Sequence, residues 1–395
     1  MLDSIYIGMT GLVSFSHGLS NISNNVANLN TPGFKGSQLA FQDLYYRYEH
    51  SGSSSQQDSP SSHGSGVKTG SSSLNFTPGE FRQTGNGLNV AIDGNGLFIL
   101  RKDGETQYTR AGQFKIDDAG YLVAEDDGTR VAGMTGNVLT DISIAGKRSS
   151  AAKATQTVKF ADSLSTISST FDVSNITVYD SLGGVHSLTL KLTNNTVNVA
   201  GQWTFSLVEG SRTLTSGNIL YTGSGDAIAG SDTHTFSYDP GTGARTVNLT
   251  LDFSGSKYFS SSASSLKVGS QDGYGAGVLS KTAIDTDGNL VLSYSNGQTV
   301  KDQRLALAWF DNLGALQAAG SNRYTVFGDA RRHLGRPGEN GLGNLKTGGV
   351  ELSNVDLAQE FSELIIVQRG YQASSQVISA ANEMIQQLGE IRGRR

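Results

Sequence analysis

The sequence predicts a mainly β protein with long terminal α-helices: a nested, discontinuous multidomain rod with an α-helical inner domain, a split β-domain and an inserted β-domain. Three observations predict it. The first is composition: 395 residues carry 50 Gly but only 5 Pro, with 16% charged and 36% hydrophobic residues. Ordinary globular chains hold roughly 25% and 45%. Ser, Thr, Asn and Gly fill the difference, as turns and solvated β-surfaces require. The second is a three-to-four-residue apolar spacing at both ends of the chain. The third is a switch to period two between those ends, punctuated by Asp-Gly.

At the N-terminus, Leu2, Ile5, Met9, Leu12, Phe15, Leu19, Ile22, Val26 and Leu29 form one stripe of an amphipathic helix. Thr31-Pro32-Gly33 stops it, because Pro disfavours a helical residue before it and Gly permits positive φ. Residues 37–75 read as the least structured stretch, with Ser51–Ser73 rich in Ser, Gly and Gln. Either this is a disordered linker or it is an extended arm that orders against neighbouring subunits.

Strand signals follow at Leu88–Ile92, Leu97–Arg101, Thr106–Arg110, Gln113–Ile116 and Tyr121–Ala124. Asp93-Gly94, Asp103-Gly104 and Asp127-Gly128 separate them as hairpin turns do. Phe114–Val123 is echoed by Thr282–Val291, so one β-domain split by an insertion is expected. The insertion, 146–272, has strand signals at Ile176–Tyr179, His186–Leu192, Trp203–Val208, Thr233–Tyr238 and Thr246–Phe253, as in a sandwich or barrel.

The C-terminal stripe runs Leu357, Phe361, Leu364, Val367, Tyr371, Ile378, Ala381, Ile385, Leu388, Ile391, with Asn354 or Asp356 as the helix cap. The expected domains are therefore 1–30 with 356–395, an arm over 31–75, 76–145 with 273–355, and 146–272. The two stripes belong either to the core of one chain or to contacts between subunits. Their remaining faces are small and uncharged, which favours assembly over a water-facing surface.

Chemistry is sparse. A net charge of -5 gives no general attraction to nucleic acid. Zero cysteines exclude disulfides and thiolate sites. No apolar run approaches the roughly 20 residues of a membrane span, and the first residues lack the basic and apolar regions of a secretory signal. The six histidines have no metal-ligand spacing. Gly146-Lys147 lacks the context of a phosphate loop. Asp285-Thr286-Asp287-Gly288-Asn289 alternates oxygen ligands like a calcium loop, but its Gly is misplaced and Asn296 stands where the closing Glu would be. A hairpin turn fits it better. No catalytic constellation, cofactor or metal site is expected, and the Arg392–Arg395 tail reads as a solvated end.

Asn21–Lys35, with Asn24, Asn25, Asn28, Thr31, Gly33, Phe34 and Lys35, closely resembles the N-terminal signature of bacterial flagellar rod and hook proteins. Ser353, Asn354 and Val355, followed by Gln368, Arg369, Tyr371 and Gln372, resemble the paired C-terminal signature. Ile176–Gly183 is similar to the opening of the inserted domain in hook members, and Gly273–Gly277 to its return. The resemblance implies a non-enzymatic, self-assembling subunit of the hook, a curved tube that passes motor torque to the filament as a universal joint. A distal rod-like protein is the alternative, and the insertion favours the hook. The family's other partners are the distal rod protein, the hook cap, the hook-length control protein, the hook-filament junction protein and the flagellar export apparatus. Export through the flagellum's own channel to an extracellular site is implied too.

Overall fold

Helix α1, Leu2–Ala27, opens the fold and helix α2, Leu357–Gly393, closes it. The computed structural model describes residues 2–49, 61–102, 104–136, 138–241, 243–328 and 330–393. Residues 51–60, Asp103, Arg394 and Arg395 lie outside the described residues, as do the side chains of Leu2, Ile391 and Arg392. Between the helices, the described residues form strands and turns apart from a 3-10 turn at Leu313–Ala315. Asp356, not Asn354, caps α2: its Oδ1 accepts from the backbone N–H groups of Ala358 at 2.7 Å and Gln359 at 3.3 Å.

The chain forms two compact units: Met1–Ala145 with Thr282–Val291 and Lys301–Arg395, and Gly146–Lys281 with Leu292–Val300. In the first, the strands Arg130–Thr135, Leu97–Lys102, Glu105–Thr109, Arg323–Val326 and Leu316–Gly320 pair in that order, all antiparallel. Leu97 and Ile99 pack in a core with Tyr108, Ala132, Phe310 and Tyr324. Phe98 and Leu100, on the other face, are equally buried, with the Phe98 ring edge-on to Phe114 at 5.1 Å. A sheet covered on both faces explains the near-continuous apolar run.

The echo between the two halves is a shared turn. Asp117 N–H donates to Tyr121 O and Asp285 N–H to Asn289 O, at 2.9 and 3.0 Å. Asp117 Oδ1 accepts from Tyr121 N–H and Asp285 Oδ1 from Asn289 N–H, at 2.7 and 2.8 Å. The calcium-like segment is this turn, and the Lys301 ammonium lies 2.8 Å from Asp285 Oδ2.

The second unit is a sandwich. One sheet orders Thr233–Tyr238, Val247–Phe259, Thr157–Ser165 and Lys267–Gln271, with a parallel pair at its centre. The other runs Thr170–Tyr179, Val185–Asn194, Gln202–Glu209, Arg212–Leu220, antiparallel throughout. Both contribute to one core around Trp203, Phe205, Phe160 and Phe253, the last two stacked at 4.7 Å. Three strands carry no signal in the sequence reading: Thr157–Ser165, Arg212–Leu220 and Lys267–Gln271. They are Ser-, Thr- or Gly-rich, and their order comes from neighbouring strands.

The stretch after α1 departs from expectation. Ser37–Asp43 pairs antiparallel with Val67–Leu74, and Tyr46–Glu49 with Ser61–Gly64. The first hairpin packs on α1, where Phe41 lies 5.7 Å from the Phe15 ring and Ser14 Oγ donates to Val67 O at 3.3 Å. Ladder hydrogen bonds and a neighbouring helix order a Ser-rich strand that has little apolar surface of its own.

Candidate assembly surface

The two terminal helices meet through small residues. A Cβ built on Gly8 would fall 2.7 Å from Ile378 Cγ1, one on Gly18 3.2 Å from Val367 Cγ1, and one on Gly370 2.6 Å from Phe15 Cζ. Asn25 Nδ2 donates to Glu360 Oε1 at 2.9 Å. These pairs set an antiparallel register with close backbone approach. Gly370→Leu should push the helices apart, costing about 1–3 kcal/mol as overpacking does. A drop in helical circular dichroism of the full chain is the expected readout.

Below the helices lies a polar junction. Gly33 has φ +69°, its N–H donates to Glu351 O at 2.7 Å, and an added Cβ would lie 2.6 Å from the Ala111 nitrogen. Ser37 N–H donates to Asn25 Oδ1 at 3.0 Å. Asn354 Oδ1 accepts from Gly36 N–H at 2.9 Å, and its Nδ2 donates to Asn75 O at 2.8 Å. Asn28 Oδ1 accepts from Thr31 Oγ1 at 3.1 Å, tightening the turn after α1.

Lys35 turns inward and is fully buried. Its Nζ donates to Glu351 Oε1 at 2.5 Å and to Thr77 O at 2.7 Å. Arg110 Nε donates to Glu351 Oε2 at 2.8 Å, and its remaining nitrogens reach the Gly96, Gly94 and Ile92 carbonyls. Burial pushes the Lys35 ammonium below its usual range, and Glu351 opposes that shift. One carboxylate thus holds two buried cations, one from the segment after the turn that follows α1 and one just past the strand Glu105–Thr109.

Profiles of four related families match in chain order. They are "Flagella basal body rod protein" over 5–35, "Flagellar hook protein FlgE/F/G D1 domain" over 91–180, "Flagellar basal body protein FlaE D2 domain" over 148–274 and "Flagellar basal body rod FlgEFG protein C-terminal" over 346–391. The flagellar hook protein FlgE of Borreliella burgdorferi is 31% identical, covering 98% of this chain and 99% of that one. The chain belongs to the flagellar hook protein family. FlgE of Escherichia coli is 29% identical over 97% of this chain and 98% of its own. The rod protein FlgG of Bacillus subtilis is 24% identical over 98% of each, so the rod alternative is not favoured.

In this hook-family chain the signature residues divide. Asn25, Asn28, Thr31, Gly33, Lys35 and Asn354 form the junction just described. Phe34 N–H donates to Thr31 O and Asn354 N–H to Phe34 O, while Val355 packs beside Gly36 and Ser353 Oγ accepts from Val355 N–H. Asn24 O accepts from Asn28 Nδ2. Gln368, Arg369, Tyr371 and Gln372 lie exposed on α2. Of the α1 stripe, Ile22 is buried, Ile5, Leu12, Phe15, Leu19, Val26 and Leu29 are half-buried, and Met9 is exposed. On α2, Leu364 and Ile378 are half-buried, and Leu357, Phe361, Ile385 and Leu388 are exposed. The glycine seam and the partners Glu351 and Arg110 went unread. Glu351 stands two residues before Ser353, which was a usable signal, but nothing in the spacing points to Arg110.

A second charged cluster lies in the same unit. Arg323, nearly buried, donates to Asp127 Oδ1 at 2.5 Å, to Asp126 Oδ2 at 2.9 Å and to Thr129 Oγ1 at 2.8 Å. Hydrogen bonding from Arg323 first, with help from Thr129, holds the Asp127 carboxyl far below the usual carboxylate range. A depressed folded pKa gives stability that is present above the unfolded value of about 3.9 and lost as pH falls. The melting temperature should therefore fall as pH drops below about 4. In Asp127→Asn that acid slope should be shallower, which a calorimetric pH series will read.

Proposed function

We infer that this chain is a structural, non-enzymatic subunit of the flagellar hook, polymerising with itself into a tube that carries torque between rod and filament. One observation carries the reading. Packed together, α1 and α2 bury few apolar side chains, chiefly Ile22, Val367 and Ala381 among the described residues, and leave Tyr6, Val13, Phe361, Ile365, Ile366 and Met384 exposed. Monomers rarely display such surface unless something covers it. On this reading the terminal segments 1–30 and 356–395 hold the tube together. The chain's other neighbours are the distal rod protein, hook cap, hook-length control protein, junction protein and export apparatus. Sedimentation of concentrated protein, with electron microscopy of the pellet, tests the reading: tubes are expected, and a chain that stays monomeric under all assembly conditions overturns it.

Two measurements refine it. Helices with so little buried apolar surface are marginal alone. Amides of α1 and α2 should exchange fast in the monomer and slowly in the polymer, whereas the strand cores stay protected in both.

The second concerns residues 146–272, the proposed outer domain. A joint that bends while turning needs contacts that slide, and wet Ser/Thr/Asn surfaces slide more readily than close-packed apolar ones. Lys153 and Tyr274 exchange two backbone hydrogen bonds of 2.9 Å, so 154–272 can be replaced by a short Gly/Ser bridge. The shortened chain should still form tubes, with altered curvature or stiffness. Loss of tubes from a chain whose first unit melts normally would make the insertion an assembly determinant instead.

A further inference from the structure

Among the described residues, two apolar stripes on the terminal helices have no cover. On α2, Val367, Gly370, Ser374 and Ile378 meet α1, and Ala381 on the same face is buried. Ile385 and Leu388 continue that face at the same three-to-four spacing. They are nevertheless 37% and 50% exposed, and a Cβ built on Gly389 meets nothing within 4 Å. On α1, Gly8, Gly11, Phe15 and Gly18 face α2. Tyr6, Met9 and Val13 fall on the opposite side of that helix, 47%, 51% and 52% exposed.

We propose that the Ile385–Leu388 stripe of one copy packs on the Tyr6–Met9–Val13 stripe of a second copy. This rests on the self-assembly inferred above and assigns it a pair of surfaces. Continuity argues for the occupant. Ile385 and Leu388 extend a face whose other members already pack on an α1 helix, so another α1 suits them. The face of α1 that binds its own α2 is taken, which leaves the opposite stripe. Ile385 and Leu388 lie on the face of α2 that meets α1, whereas Tyr6, Met9 and Val13 lie on the face of α1 turned away from α2. The two stripes of one chain therefore cannot join each other. Two different patches make a head-to-tail contact, and such contacts propagate into rings or open helical polymers.

The chain has no cysteine, so introduced pairs report cleanly. Full-length variants carrying Met9→Cys or Val13→Cys together with Ile385→Cys or Leu388→Cys are assembled, pelleted and oxidised. At least one pairing should give a ladder of linked multimers on a non-reducing gel, while each single variant stops at dimer. Pellets that form normally yet give no ladder in any of the four pairings overturn the contact. Charge insertion provides a second route. Ile385→Glu/Leu388→Glu and Met9→Glu/Val13→Glu should each stop sedimentation with circular dichroism equal to that of unassembled wild type, and their mixture should yield two-chain complexes. Wild-type-like polymer from either variant overturns the contact. If wild-type protein itself never pellets, the hook-subunit reading falls and this contact falls with it.

Discussion

Glu351→Ala should destabilise the first unit by about 3–5 kcal/mol, the range for removing one member of a buried ionic cluster. The loss has a direct cause. Glu351 is the carboxylate that both Lys35 and Arg110 reach, and it also accepts from Gly79 N–H at 2.9 Å. Without it, two buried cations keep only neutral carbonyl partners and have no counter-charge, and the part-buried Gly79 N–H loses its acceptor. Glu351→Gln preserves shape and one acceptor oxygen but removes the charge, so it should fall between wild type and Glu351→Ala. Thermal melts of the three proteins read the order directly. A loss below about 1 kcal/mol for Glu351→Ala, the worth of an ordinary surface pair, would mean that this cluster does not hold the junction.

Gly33→Val should cost about 3 kcal/mol. The left-handed backbone contributes roughly 1–2 kcal/mol for a residue with a Cβ, and overpacking adds about 1–3 kcal/mol. The second contribution arises because the Cβ would press on the Ala111 nitrogen and Arg110 carbonyl carbon, at 2.6 and 2.7 Å, and backbone does not rotate aside. Gly33→Asn separates the two effects, since Asn tolerates positive φ but still carries a Cβ. If Gly33→Asn melts like wild type, conformation alone sets the requirement. If it melts like Gly33→Val, the close approach does. Gly33→Val should impair swimming of a strain that depends on this protein, because the turn leads the chain from α1 into the hairpin.

The strongest patterns in the sequence carried into the structure. The helices stand where apolar residues recur every three or four positions, and Leu97–Lys102 and Glu105–Thr109 pair across Gly104. The side of α1 that packs was less legible. A pattern built on large apolar residues marks Met9, which is exposed, and passes over Gly8, Gly11 and Gly18, which form the seam. Glycine has no hydrophobicity to count, yet its missing side chain is what lets two helices approach. The hairpin Ser37–Asp43 with Val67–Leu74 was unreadable for a related reason: its order comes from α1 and from ladder bonds, neither of which is local.

The sequence by itself determined the periods, the turns and the two terminal signatures, because these depend on residues within a few positions of one another. Tertiary structure alone decided that Lys35, Arg110 and Glu351 share one buried site. Those residues are brought together only when the segment after α1, the end of the strand Glu105–Thr109 and the strand Gly349–Glu351 before α2 converge. It also decided which apolar residues stay uncovered. Exposure is a property of what lies opposite a side chain, and Ile385 has the spacing of a core residue without a neighbour among the described residues to bury it.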